Sequence, residues 1–588
     1  MINLRMTSTV LCAALLAGLA CFGAAPAGAA AHRPTPADLV LANGIVRVGM
    51  QEGAVASALA VSGGRIVYVG DDAGARKLRG PRTRYVDLAG RAVLPGLADA
   101  HVHPFYGEYL HHFLCDVRAF SVVEGLKRAG ECIAHAPPGD WVVGYGWYDL
   151  DNADFDHVTR AQLAAVAPGR KLVVVSRDIH TMWANPEALA AIGVDRDQPN
   201  PPGGEIVRDA QSGEPTGMLI DAANQPLLQA VQHASPYAAT TRDVLRAAVG
   251  HLHSLGITSI LDAYADDDLV QAYEALAASG ELDMRVELAM PVSPANFRTE
   301  IPRIASLRAR LRSPLLRIDY VKVIGDGNPE VGLSNLLHHD GRPGNATPGY
   351  FTDDEMRELV ALAERNGLSV YVHAIGDGAA RQVLDAVAPL RAAAARTDRR
   401  HTITHLCWVA DADLPRFHAL GVLANIQEGW LAPAAYGGPP GYDYARSTAA
   451  GPIGPWMAGR LMPYRALAEA GARLAAGSDW FYTDENPWRD IEAGATSMDP
   501  GGGNPVPMLP EHALPVPALL EARTSGAAYQ MYLEDEVGSI ATGHRADLVV
   551  VDRDPLSLAP AQLHGVQVEL TLFDGRIVYD RAAGAPGQ

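Results

Sequence analysis

Two histidines one residue apart, His101 and His103 in Asp99-Ala100-His101-Val102-His103, are the first residues of the chain whose types and spacing suit chemistry. On a β-strand, positions i and i+2 face the same side, so two neutral imidazoles there can hold one divalent ion between them. An H-x-H pair alone is common by chance. Four further positions change its weight: Lys322, His373, His405 and Asp479. Imidazoles together with a carboxylate make a donor set that zinc and similar ions accept. Lys322 as an ammonium would repel a metal, but a carboxylated amine is an anionic carbamate able to bridge two ions. Each residue also has a plainer role open to it. His373 or His405 could be hydrogen-bonded barrel residues, Lys322 could pair with Asp319 or Asp326, and Asp479 could cap a helix.

Residues this far apart need a fold that gathers them. The middle of the chain alternates apolar strand-like runs with helical segments, the pattern of βα units on a parallel sheet. The runs are Ala92 to Asp99, Thr258 to Ala263, Met284 to Ala289, Tyr320 to Ile324, Ser369 to His373, His401 to His405, Val422 to Gln427 and Arg473 to Gly477. Eight strands close a (β/α)8 barrel, and the ends of such strands converge on one mouth. Helices are expected at Thr241 to Leu255 and Asp353 to Asn366, the second capped by Thr352 with Glu355 three residues on. Joint occurrence of the six polar residues at strands one, four, five, six and eight outweighs the plainer readings. The stretch from about 104 to 238 is too long for one crossover. It reads as an insertion over the C-terminal face of the barrel, with its own strand at Lys171 to Ser176.

Both ends of the chain look different from the middle. Short apolar runs separated by turns cover Leu39 to Gly49, Ala58 to Gly70 and Arg84 to Gly90, and again Gly543 to Val551 and Val566 to Tyr579. They predict one small β-sandwich built from both termini. The expected fold class is therefore α/β: a TIM-like (β/α)8 barrel at 94–512, flanked by β-sandwich parts at 37–93 and 513–588. Residues 1–29 read as a signal peptide. Arg5 precedes an uncharged apolar run from Val10 to Phe22, and Ala27-Gly28-Ala29 offers a cleavage site. That run is too short to span a membrane. Gly18, three positions before Cys21, does not suit a lipid anchor, so free release to the periplasm or the outside is expected.

With 588 residues and 48% apolar content, the chain can bury a large core. A formal charge of −19 argues against nucleic acid as a partner, because phosphate binding needs clustered Lys and Arg. The expected partner is a small-molecule substrate, and a homodimer is compatible with the sequence. Cys115 and Cys132 either pair across a short segment or stay as buried thiols, while Cys407 reads as a packed thiol.

The motifs carry a resemblance. Leu94 to His103 is similar to the first-strand signature of the amidohydrolase superfamily, and Val372 to Asp377, Thr404-His405-Leu406 and Gly477-Ser478-Asp479 resemble its later ones. Gly203 to Arg208, Gly213 to Gly217 and Val321 to Gly327 resemble its YtcJ-like branch, amidohydrolase family 3; the likeness spans about 40 to 580. It implies that His101, His103 and Asp479 bind one divalent ion, most simply Zn2+. It further implies that His373 and His405 bind a second, bridged by N6-carboxylysine at Lys322. Asp479 would act as general base and then acid toward a C–N bond of an amide, N-acyl or N-formyl compound. Similar segments in the branch place a histidine near the substrate, so His180 is a candidate for oxyanion or substrate contact, with a structural loop residue as the alternative. Trp147, Tyr148, Arg208, Gln427 and Trp430 are candidates for lining the pocket. Ser478 reads as a turn residue, and the pairs His111-His112 and His338-His339 as solvent-facing. The ligand set does not separate C–N hydrolysis from an esterase, lactonase or phosphoesterase. A non-catalytic binding protein of the same fold would be expected to have lost ligands, and none is substituted.

Overall fold

The computed structural model describes residues 35–50, 55–119, 121–135, 141–147, 158–176, 181–201, 204–232, 240–327, 334–337, 349–393, 398–433 and 460–584. The chain divides into two compact units, Met1–Thr35 and Pro36–Gln588, and all the described elements lie in the second.

Eight parallel strands form one sheet in chain order: β1 (Leu97–Val102), β2 (Ile257–Asp262), β3 (Arg285–Val292), β4 (Leu316–Ile324), β5 (Ser369–Ala374), β6 (Thr402–His405), β7 (Leu423–Ile426) and β8 (Leu474–Ala476). Every residue of β1, β2 and β7 is buried, as parallel strands covered on both faces require. The last strand returns to the first just beyond its own end. The Asp479 amide donates to the His101 carbonyl at 2.8 Å, and the His103 amide to the Trp480 carbonyl at 2.8 Å. Only glycine fits at 477, since a Cβ there would lie 2.3 Å from the His101 nitrogen. Helices Thr241–Ser254 and Asp353–Arg365 pack outside, and Thr352 and Glu355 form the expected capping box.

Sequence reading runs Ala92 to Asp99 as one strand; the structure breaks it at Gly96. Ala92–Pro95 pairs with Leu548–Val551 and Ile45–Arg47 in the small domain, and the barrel begins only at Leu97. A Cβ on Gly96 would meet Thr258 Oγ1 at 2.2 Å, so the crossing between the two sheets needs a bare backbone. The small domain has a four-stranded sheet from the N-terminal part and a six-stranded sheet that mixes both ends of the chain. Leu41, Leu59 and Ile66 pack in one core with Leu548, Val550 and Leu572, which is the two-ended sandwich the sequence predicts. Residues 516–530 behave differently from the expected boundary at 513. They form helical turns, and Ala527, Ala528 and Met531 cluster with Ala98, Ala289 and Tyr371 of the barrel strands.

The insertion holds a six-stranded sheet of its own, of which Lys171–Ser176 is one strand. Two of its other strands, Thr181–Ala184 and Gly204–Arg208, are too short to show a clear apolar pattern. Cys115 and Cys132 are disulfide-bonded, tying its edge strand Cys115–Ala119 to helix Val122–His135; Cys407 is a buried free thiol. Among the described residues, no helix is long and apolar enough to cross a membrane.

Candidate metal centre

The ends of β1, β6 and β8 bring His101, His405 and Asp479 together, with one potential ligand atom of each within 4.8 Å of the others. Asp479 Oδ1 lies 3.3 Å from His101 Nε2 and 3.2 Å from His103 Nε2, so one carboxylate oxygen faces both members of the H-x-H pair. His373 at the end of β5 completes the ring of imidazoles, its centroid 4.4 Å from that of His405. Lys322 on β4 is buried, with Nζ 5.1 Å from the centroid of the Tyr371 ring. The backbone is strained where two of these side chains emerge. His405 and Asp479 have φ of 74° and 58°, left-handed values that a non-glycine residue adopts at a cost of about 1–3 kcal/mol. Such strain concentrates at functional sites because the surrounding fold over-determines it.

The electrostatics favour a cation. Burial, aided by Lys322, pushes the His101 and His373 imidazoles down to about 3, so both are neutral and offer lone pairs. Burial would raise the Asp479 carboxyl, but His101, His103 and His405 outweigh it and hold the group well below the ordinary carboxylate range. The Nε2 atoms of His101 and His373 are buried without a hydrogen-bond partner among the described residues. Orphaned imidazole nitrogens beside an ionised carboxylate are what a divalent ion satisfies, so the residues fit one.

The model of the amidohydrolase family matches residues 84–579, most of the chain. The chain belongs to the amidohydrolase family. YtcJ of Bacillus subtilis strain 168 is 28% identical to it over 556 residues, 92% of this chain and 99% of YtcJ. The N-substituted formamide deformylase of Arthrobacter pascens is 27% identical over 557 residues, 92% of this chain and 98% of that one. A solved metal-dependent hydrolase of Pyrococcus horikoshii OT3 shares the fold with a TM-score of 0.69 at 21% identity, over 89% of this chain and 99% of that one.

As an amidohydrolase-family member the chain is a metal-dependent hydrolase, and the six residues singled out as ligands lie where its strands end. The pocket-lining candidates fare differently. Trp147 is fully buried inside the inserted unit, packed against Trp183 and under helix Val122–His135, because the insertion needs a core of its own. Arg208 is spent within the insertion: Nη1 donates to the Asp195 carbonyl at 3.0 Å and Nη2 to that of Gln198. Gln427 is fully buried, and its Oε1 lies 3.0 Å from His405 Nδ1. Trp430 does border the centre, stacked on the His405 ring at 5.1 Å and 6°. His180, Tyr148 and the pair His338-His339 lie outside the described residues. His111 is half-buried: it accepts the Trp480 indole N–H at 3.1 Å and packs against Tyr145.

Sequence reasoning missed Asp326 as part of the centre's support. Its buried carboxylate accepts the amides of Asn335 at 2.9 Å, Ile375 at 2.9 Å and Gly376 at 2.8 Å, and sits 4.0 Å from His373 Nε2. Burial drives the Asp326 carboxyl up to about 7 against those three donors. The stretch Val321 to Gly327 was legible as a motif, but the residue that anchors the turn after β5 was not distinguishable within it.

Proposed function

We propose that the protein is an exported amidohydrolase that cleaves the C–N bond of a small N-acyl or N-formyl amide, with water as nucleophile and Asp479 as proton carrier. The observation that carries this is the gathering of neutral, partnerless imidazole nitrogens around one ionised carboxylate at the barrel mouth. His101, His103 and Asp479 would hold one divalent ion, zinc by the donor types, and His373 and His405 a second. Lys322 would bridge them once carboxylated. Burial brings its amine down to about 8, which leaves about a tenth neutral at pH 7 and able to add carbon dioxide. An ion bound there supplies acidified water and a polarised carbonyl. Asp479 takes the proton of the attacking water as the C–O bond forms, then returns it to the nitrogen as the C–N bond breaks. Trp430 walls the site beside His405, and His180 is assigned to contact with the substrate oxygen.

The amide preference is supported by the deformylase from Arthrobacter pascens, which acts on N-substituted formamides. Export is supported by the leader-like first 29 residues and by the Cys115–Cys132 disulfide, which suits an oxidising compartment. The test is a screen of zinc-loaded enzyme against N-formyl and N-acyl amines and amino acids, cyclic amides and matched esters. Turnover of N-formyl or N-acyl substrates is expected. Turnover of esters or lactones alone would assign the site to C–O hydrolysis, and no turnover by metal-loaded protein would favour a binding role.

A further inference from the structure

Beneath the imidazoles runs a chain of side-chain amides and hydroxyls that ends on one backbone carbonyl, that of Ala100 in β1. A carbonyl oxygen can only accept. It is met by Asn425 Nδ2 at 3.0 Å and Gln530 Nε2 at 3.0 Å, which fixes the orientation of both amides. Asn425 Nδ2 also donates to Gln530 Oε1 at 3.0 Å. Asn425 must therefore present Oδ1 on its other side, where Gln427 Nε2 donates to it at 2.8 Å and Thr404 Oγ1 at 2.9 Å. With its nitrogen turned to Asn425, Gln427 turns Oε1 to His405 Nδ1 at 3.0 Å, so that ring nitrogen carries the hydrogen.

The same reasoning decides His101. Its Nδ1 is 2.8 Å from Thr404 Oγ1 and 2.8 Å from Tyr371 Oη. Thr404 has spent its hydrogen on Asn425, and Tyr371 reaches the Ala100 carbonyl at 3.1 Å with its own. A bare Nδ1 could accept from at most one of these hydroxyls and would face the lone pairs of the other at 2.8 Å. A protonated Nδ1, shared between both oxygens, removes that clash and leaves a bare Nε2 facing Asp479 Oδ1 at 3.3 Å, an arrangement that a cation between them satisfies.

We infer that the Ala100 carbonyl, acting through Asn425, Thr404 and Gln427, places the proton of both His101 and His405 on Nδ1 and leaves each Nε2 bare for metal. These side chains are positioning residues for the centre, and Gln427 in particular is not a substrate contact. The inference rests on the metal reading above. Asn425 and Gln427 lie two apart on and just after β7, and Thr404 next to His405 on β6, so one face of adjacent strands carries the whole relay.

The test uses the purified full chain and a zinc titration against a competing chromophoric chelator. Gln427→Met and Thr404→Val are each expected to bind zinc roughly 10–100-fold more weakly, the span typical of lost partners to ligating histidines, whereas Thr404→Ser binds as the parent does. Parent-like zinc affinity in both Gln427→Met and Thr404→Val would overturn the inference, as would a raised KM with unchanged affinity in Gln427→Met. A second measurement needs no variant of the relay. Long-range proton–nitrogen spectra of the zinc-loaded parent should show a pyrrole-type, protonated Nδ1 for both rings, assigned by their loss in His101→Gln and His405→Gln. The opposite tautomer at either ring would overturn it. A parent that takes up no zinc would instead remove the metal reading, and this inference with it.

Discussion

Asparagine at position 479 is expected to lower kcat by roughly 10²–10⁴-fold, the usual contribution of a positioned general acid–base, with little change in fold. The substitution is nearly isosteric and keeps an oxygen to face His101 and His103, which lie 3.3 and 3.2 Å from Oδ1. It removes the negative charge that the surrounding imidazoles hold ionised, and with it the site that accepts a proton from water. The strained φ of 58° at Asp479 favours the choice of variant, because asparagine tolerates left-handed backbone well. Steady-state kinetics with zinc content measured on the same preparation checks the result. Activity within a few-fold of the parent at equal zinc content would show that another group moves the proton.

The second large effect lies behind the centre. Arg523 is wholly buried and donates from Nε to Glu428 Oε1 at 2.6 Å and from Nη2 to Asp490 Oδ2 at 2.6 Å, with Nη1 3.4 Å from Asp99 Oδ2. Arg523→Met should cost about 3–5 kcal/mol of stability, because it strands three carboxyls in the interior. The deficit should widen as the pH rises. Burial already raises Asp99, Glu428 and Asp490, and Arg523 opposes it. Without the guanidinium their folded pKa values climb further, so the folded variant binds more protons than the unfolded chain and loses stability with increasing pH. Denaturant titrations at several pH values read this directly. A loss under about 1 kcal/mol, the size of an ordinary substitution, would show that the charges are not held as described. Zinc affinity should fall as well, since Asp99 Oδ1 accepts the amides of His101 at 3.2 Å and Ser478 at 2.9 Å.

The side chains that meet at the proposed centre were legible in the sequence, and those packed behind them were not. His101, His103, His373, His405 and Asp479 declare themselves by type and by position at the ends of apolar runs, and the count of eight runs predicts the barrel that joins them. Asn425, Thr404 and Tyr371 are ordinary polar residues within strands, and Gln530 ends a short helix. Their role comes from meeting across β1, β5, β6 and β7, at sequence separations no local pattern records. Gln427 was read as pocket lining, because a glutamine after a strand suits that place; the structure buries it against His405 Nδ1. Trp147 shows the reverse error: an aromatic in a polar-looking insertion belongs to that unit's own core. The break at Gly96 was hidden because the residues on either side of it, Ala92–Pro95 and Leu97-Ala98, are all apolar and read as one run.

The most direct measurement is metal content of the purified, full-length protein by mass spectrometry, paired with activity before and after chelation. One to two divalent ions per chain are expected, with activity lost on chelation and regained on adding zinc. A protein that remains fully active with no bound metal would contradict the site described around His101 and Asp479.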